Sequence, residues 1–157
     1  MLFRSTENRR DAARRSAEAL VEAAVDLGVQ VAFELLPNAL STADALLRLL
    51  EEDLDGTNAG ICLDYGHAHL TGDLADVIEN VGGHIVATHL HDNDGRRDSH
   101  LMPFAGTIDW PAAMTETQKV GYDGAFTFEI TESGDPAQIL TRAARVRARL
   151  ADALITF

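Results

Sequence analysis

Four short apolar runs recur along the chain: VQVAFELLP at 29–37, NAGICLDYG at 58–66, HIVATHLHD at 84–92 and GAFTFEIT at 124–131. Runs of this length, bounded by Gly, Pro and Asn, read as buried strands. A spacing of ~30 residues suits strand–helix–strand units whose strands lie parallel. Helical patterning fills the intervals. Between 5 and 28, Ala13, Ala17, Leu20, Ala24 and Leu27 return every three or four residues, and Gly28 stands where such a helix stops. Ser41 is the expected cap of a second helix running to Asp53, with Leu46, Leu47, Leu49 and Leu50 on its apolar face. A third helix is expected from Asp73 to Val81, after which Gly82-Gly83 turns the chain into the third run. Asp109 is the expected cap of a helix with Pro111 in its first turn, and Asp135-Pro136 opens a terminal helix. The order predicts an α/β fold: an N-terminal helix, then four parallel strands alternating with helices.

Because strand side chains alternate between faces, each run divides by parity. Val31, Phe33 and Leu35 oppose Ala32 and Glu34; Ile61 and Leu63 oppose Gly60, Cys62 and Asp64. Val86, Thr88 and Leu90 oppose Ala87, His89 and His91; Phe126, Phe128 and Ile130 oppose Ala125, Thr127 and Glu129. One face is bulky, as it must be under a layer of helices. The other is small except for an ionisable group near the C-terminal end of each strand, the end where parallel α/β folds carry ligands. Carboxylates gathered there repel one another unless a cation or proton offsets them. Glu34, Asp64, His89 or His91, and Glu129 offer oxygen and nitrogen ligands without thiolate, a set that suits Mn²⁺, Co²⁺, Mg²⁺ or Zn²⁺. Cys62 is read as a small packing residue.

The formal charge of −12 over 157 residues opposes a surface that follows a phosphate backbone, so nucleic acid is not a favoured partner. A single cysteine excludes an intramolecular disulfide, and the N-terminus has no apolar run of leader or membrane-span length. A cytoplasmic protein without membrane contact is expected.

The strings VAFELLP, CLDYGHAH, HLHDND…DSHLMPFAGTIDW and GYDGAFTFEI, in this order and spacing, resemble the xylose isomerase-like TIM-barrel superfamily. That group includes sugar and sugar-phosphate isomerases and epimerases, inosose dehydratases and endonucleases of the endonuclease IV type. The resemblance implies that Glu34, Asp64, a histidine of the third strand and Glu129 hold a divalent metal, with Glu34 and Glu129 also moving the proton. The epimerase pattern points to His91 and the endonuclease pattern to His89; both stand as candidates, with His91 preferred. The resemblance further implies a substrate-contacting or second-metal role for His67 and a substrate grip for Arg97. Asp98 and His100 resemble the Asp-x-His pair that binds an additional metal in the endonucleases. His69 and His84 are read as surface residues, and Asp92 and Asp94 as residues that shape the turn through bonds to its backbone.

Family members have eight strand–helix units in ~250 residues, whereas this sequence supplies four, matching the second half. The expectation is therefore a single domain over 1–157, equivalent to half of a barrel. Its outer strands, near Val31 and Phe126, would be left open, and either a second copy or the missing N-terminal half would close it. The implied activity is a metal-dependent sugar or sugar-phosphate isomerase or epimerase working through an enediolate. An abasic-site phosphodiesterase, an inosose dehydratase-like lyase and an inactive truncated fragment are the alternatives.

Overall fold

The computed structural model describes residues 6–154. In chain order the elements are α1 (Thr6–Val25), β1 (Val31–Glu34), α2 (Ala43–Arg48), β2 (Ala59–Asp64), α3 (Tyr65–Thr71), α4 (Leu74–Val81), β3 (Ile85–Leu90), α5 (Trp110–Lys119), β4 (Thr127–Phe128) and α6 (Pro136–Leu154). The strands form one parallel sheet in the order β1-β2-β3-β4, with sequential neighbours paired. This is the parallel four-stranded α/β sheet that the alternation predicted. The register places Glu34 beside Cys62, Asp64 beside His89, and His89 beside Thr127. The ionisable strand ends are thereby brought level across the sheet.

The bulky parity face is the core. Leu35, Ile61, Leu63, Leu90, Ile78, Met114 and Trp110 are fully buried in one cluster between the sheet and its helices. Tyr65 packs its ring 5.5 Å from that of Trp110 and shares a 2.6 Å hydrogen bond with the Thr117 hydroxyl. The Tyr65 hydroxyl is thus satisfied in an apolar setting.

Four local expectations need correction. Ser41 does not cap α2; the cap is Thr42, whose Oγ1 accepts from the Ala45 amide at 3.3 Å. The second helix does reach Asp53, but as a π-helical turn over Leu49–Asp53. A short helix, α3, follows β2 directly, and its seven residues YGHAHLT are too few and too polar to show an apolar period. The fourth run forms only two residues of regular strand, since β4 has β3 alone as partner and, among the described residues, no strand on its outer side. Its flanks remain tied to β3, through Glu129 N–H to the Leu90 carbonyl at 3.1 Å and the Thr88 hydroxyl to the Ala125 carbonyl at 3.0 Å. Elsewhere Asp73 and Asp109 cap α4 and α5, with Pro111 in the first turn of α5. Among the described residues no helix is long and apolar enough to cross a membrane.

Candidate metal centre

Glu34 ends β1, Asp64 ends β2, His89 lies one residue from the end of β3 and Glu129 follows β4. Their ligand atoms lie within 4.8 Å of one another. Two ligands held ~2.1 Å from a shared ion are at most ~4.2 Å apart, so small side-chain adjustments bring all four onto one point. His89 Nδ1 stands at the middle, 2.9 Å from Glu34 Oε1, 3.0 Å from Glu129 Oε2 and 3.9 Å from Asp64 Oδ2. Asp64 is wholly buried, and its Oδ2 has no hydrogen-bond partner. Leaving a carboxylate oxygen unpaired in the interior is costly, and a cation among these four groups would remove the cost. The residues therefore fit a divalent metal.

Asp64 Oδ1 is engaged differently: it accepts the His67 amide at 2.7 Å and so caps α3. One carboxylate both starts a helix and faces the centre.

His91 is where the parity argument fails. Regular strand stops at Leu90, so alternation no longer governs the next residue, and the His91 ring turns toward β2 and α3. There it joins a second group, with His67, Asp98 and His100, whose ligand atoms also lie within 4.8 Å of one another. The histidine that enters the first group is His89, not the preferred His91. The His91 ring fits because residue 66 is glycine; any Cβ at Gly66 would overlap it. It stacks on His100 at 3.8 Å between centroids and meets His67 edge-on at 5.1 Å. Burial works to keep His91 neutral, but the facing Asp64 and Asp98 outweigh it and raise its pKa above the ordinary imidazole value.

A long loop carries Asp98 and His100 back over the sheet, and its shape is enforced by Asp92 and Asn93. Fully buried Asp92 accepts from Asn93 N at 2.8 Å, Ile108 N at 3.2 Å and the Trp110 indole at 2.9 Å, while its backbone pairs both ways with Leu101 at 2.8 Å. Asn93 Nδ2 donates to the Gly66 carbonyl at 2.8 Å. Asp92 does shape the turn, but as a buried clip between the loop and α5. Exposed Asp94 accepts the Arg96 and Arg97 amides at 3.0 Å, and those two N–H groups lower its pKa. Arg97 is itself exposed, with Asp94 as its charged neighbour, and the structure does not bring it into either group. Partial burial works against Asp98 ionisation, yet His67, then His100 and His91, hold its pKa below the ordinary carboxylate value.

His69 bonds Thr107 at 2.9 Å, and His84 faces Glu51 at 3.4 Å from the start of β3; neither belongs to the two groups. Cys62 lies buried below them, its thiol pushed up to about 12 by burial and then by Glu34, Asp64 and Glu129. A surface cleft between α1 and α2, lined by Arg14, Arg48, Glu52 and Asp53 among others, contains none of the candidate residues.

Residues 3–150 match the family model described as xylose isomerase-like TIM barrel. The uncharacterized protein MJ1311 of Methanocaldococcus jannaschii is 35% identical over 117 residues, which cover 70% of this chain and 40% of that protein. A crystal structure of a D-tagatose 3-epimerase-like protein superposes with a TM-score of 0.80 at 26% identity, covering 92% of this chain and 55% of the other. A crystal structure of IolI protein with a binding zinc atom gives 0.79 at 17% identity, covering 99% and 61% respectively, and is alike in fold. The chain thus spans less than two thirds of each of these proteins.

Proposed function

The chain belongs to the xylose isomerase-like TIM barrel family, and from that premise we propose that it carries the metal-binding half of a divalent-metal-dependent sugar or sugar-phosphate isomerase or epimerase. The observation that carries this reading is the convergence of Glu34, Asp64, His89 and Glu129 within 4.8 Å at the C-terminal edge of a parallel sheet. The likeness to the D-tagatose 3-epimerase-like protein supports a sugar substrate. Mn²⁺, Co²⁺, Mg²⁺ and Zn²⁺ all suit the donor set.

A bound divalent cation supplies polarisation of a sugar carbonyl and its neighbouring hydroxyl, acidifying the C–H between them. The chain's own residues do the rest. Glu34 and Glu129 approach His89 Nδ1 from separate strands at 2.9 and 3.0 Å, and both remain partly open to solvent. They therefore flank the position of a substrate carbon: one takes its proton and the other returns a proton to the enediolate, on the adjacent carbon or on the opposite face. Buried Asp64 carries charge without exposure to the substrate, so it holds rather than reacts. His67, with a ring nitrogen 3.1 Å from Asp98, and Arg97 on the loop above are the groups assigned to substrate oxygens. The enclosing wall is a further (β/α)4 unit, from an N-terminal half or a second copy.

The test is solvent-deuterium incorporation into a panel of ketoses and ketose phosphates by the Co²⁺- or Mn²⁺-loaded protein, followed by NMR. Incorporation next to the carbonyl, lost in Glu34→Gln and Glu129→Gln, is expected. No incorporation into any member of the panel rejects the reading.

A second reading has one observation in its favour. The grouping of His67 with Asp98 and His100 suits metal-assisted phosphodiester cleavage at abasic DNA, which the net charge of −12 opposes. Nicking of an abasic duplex decides it.

A further inference from the structure

We propose that Phe104 is a positioning residue: with the Arg149 guanidinium of α6 laid over its ring, it latches the loop 92–109 and so sets where Asp98 holds His67. The latch stands on its own geometry, and its consequence for substrate binding rests on the reading above.

The argument starts from the backbone. Phe104 has φ of 71°, in the left-handed region where a bulky side chain is uncommon and costly. It stands third in a turn that is closed by the Ala105 N–H on the Met102 carbonyl at 3.0 Å, with Pro103 second. A turn with proline second and a left-handed third residue ordinarily takes glycine in the third place. A residue held against its preference persists only where surrounding contacts over-determine it. Glycine would relieve the backbone, so what the phenyl ring supplies lies in its contacts.

Two contacts account for it. The Arg149 guanidinium carbon lies 3.7 Å from the centroid of the Phe104 ring, a close cation–π approach. Arg149 adjoins Leu150, the buried residue of α6, so the cation is offered from the point where that helix is seated on the core. The Phe104 ring also meets that of Trp110 at 6.1 Å between centroids, and the Trp110 indole donates to Asp92 at the root of the loop.

The turn passes its position on to the loop tip. A Cβ at Gly106 would lie 2.2 Å from the Asn93 carbonyl oxygen, so the turn sits directly on the outgoing limb. Thr107 N–H donates to that same carbonyl at 2.9 Å, and Leu101 pairs both ways with Asp92 at 2.8 Å. These bonds close off residues 93–100, which carry Arg97 and Asp98. Asp98 Oδ2 lies 3.1 Å from His67 Nε2. The Thr131 N–H, on the connection from β4 into α6, holds the other side of the tip through the His100 carbonyl at 2.9 Å. Both anchors therefore belong to the chain that follows β4, and Phe104 is the one that a single side-chain pair controls.

Amide hydrogen exchange of the Zn²⁺-saturated full chain tests the latch, read by NMR at Leu101 and Thr107 with the amides of β2 as the reference for global opening. Arg149→Gln leaves the loop sequence intact, and Phe104→Leu keeps a bulky side chain but removes the π face. Each should speed exchange at Leu101 and Thr107 by about two- to fivefold while β2 is unchanged. Arg149→Lys and Phe104→Tyr, which keep the cation and the ring, should stay near wild type, and the double variant Arg149→Gln with Phe104→Leu should exceed neither single. In the deuterium-incorporation assay KM should rise by a similar factor with kcat nearly constant, because His67 is assigned to substrate oxygens and not to the proton that moves. Wild-type exchange at the loop, acceleration shared by β2, or additive single effects overturn the latch. Faster loop exchange with an unchanged KM overturns the positioning role. An unaltered protein that incorporates no deuterium overturns the functional reading and the substrate consequence with it, while the exchange measurements still decide the latch.

Discussion

Single residues fix the centre more than regular structure does. Asp92 holds three donors with two oxygens in the interior, from Asn93, Ile108 and Trp110. Asp92→Asn substitutes a donor for one of those acceptors, leaving at least one buried N–H facing another. Urea denaturation should show a loss of about 1–3 kcal/mol. Cys62 gives a different kind of prediction. Its thiol is raised from 9.0 to about 12, first by burial and then by the three carboxylates above it. The folded metal-free protein therefore keeps a proton that the unfolded chain releases, so stability should fall as pH rises from 9.0 towards about 12. Below 9.0 the folded thiol should resist iodoacetamide at every pH, and labelling should appear only with denaturant. Rapid labelling of the native protein would contradict its place beneath the centre. The residue scale is also where the sequence is hardest to read: Gly66 and His91 sit 25 positions apart in the numbering, and nothing local says that one ring occupies the other's missing side chain.

At the scale of elements, parity served wherever a strand is regular. β2 and β3 each run six residues and are paired on both sides, so Ile61, Leu63 and Leu90 go to the core while Asp64 and His89 go to the rim. It failed one residue past the end of β3, because alternation is a property of the pleat and His91 is no longer in it. The helix α3 is hard to read from sequence for a related reason: its start is marked only by a capping bond to Asp64, a residue that also faces the centre. Capping likewise separates Ser41 from Thr42, adjacent residues that can both cap a helix. Only the Thr42 side chain reaches the Ala45 amide, so Thr42→Ala should lower stability by about 1 kcal/mol while Ser41→Ala stays within about 0.5 kcal/mol. Thermal unfolding of the two variants separates them, and equal effects would restore Ser41 as the cap.

At the scale of the whole molecule, the governing fact is that a parallel sheet of this kind is stable when both faces and both edges are covered. Here the sheet ends at β1 and β4 among the described residues, and no strand lies beyond either. Helices cover one face, but on the other Ala32 is exposed, and Glu34, His89 and Glu129 stay partly open where a closed barrel would enclose them. The half-open centre and the unpaired strands are one structural problem, and a second (β/α)4 unit solves both by continuing the ladder and walling the site. The isolated chain should therefore run in light scattering above the 17.0 kDa of a single copy. Ala32→Lys places a charge on the face to be enclosed and should shift the assembly toward the single-copy mass. It should also reduce deuterium incorporation, since the enclosing wall is lost, while one-equivalent cobalt binding at Glu34, Asp64, His89 and Glu129 persists. A single-copy mass for the unaltered chain with full metal binding and full exchange would show that the half barrel needs no wall, and the link drawn here between edge closure and catalysis would fail.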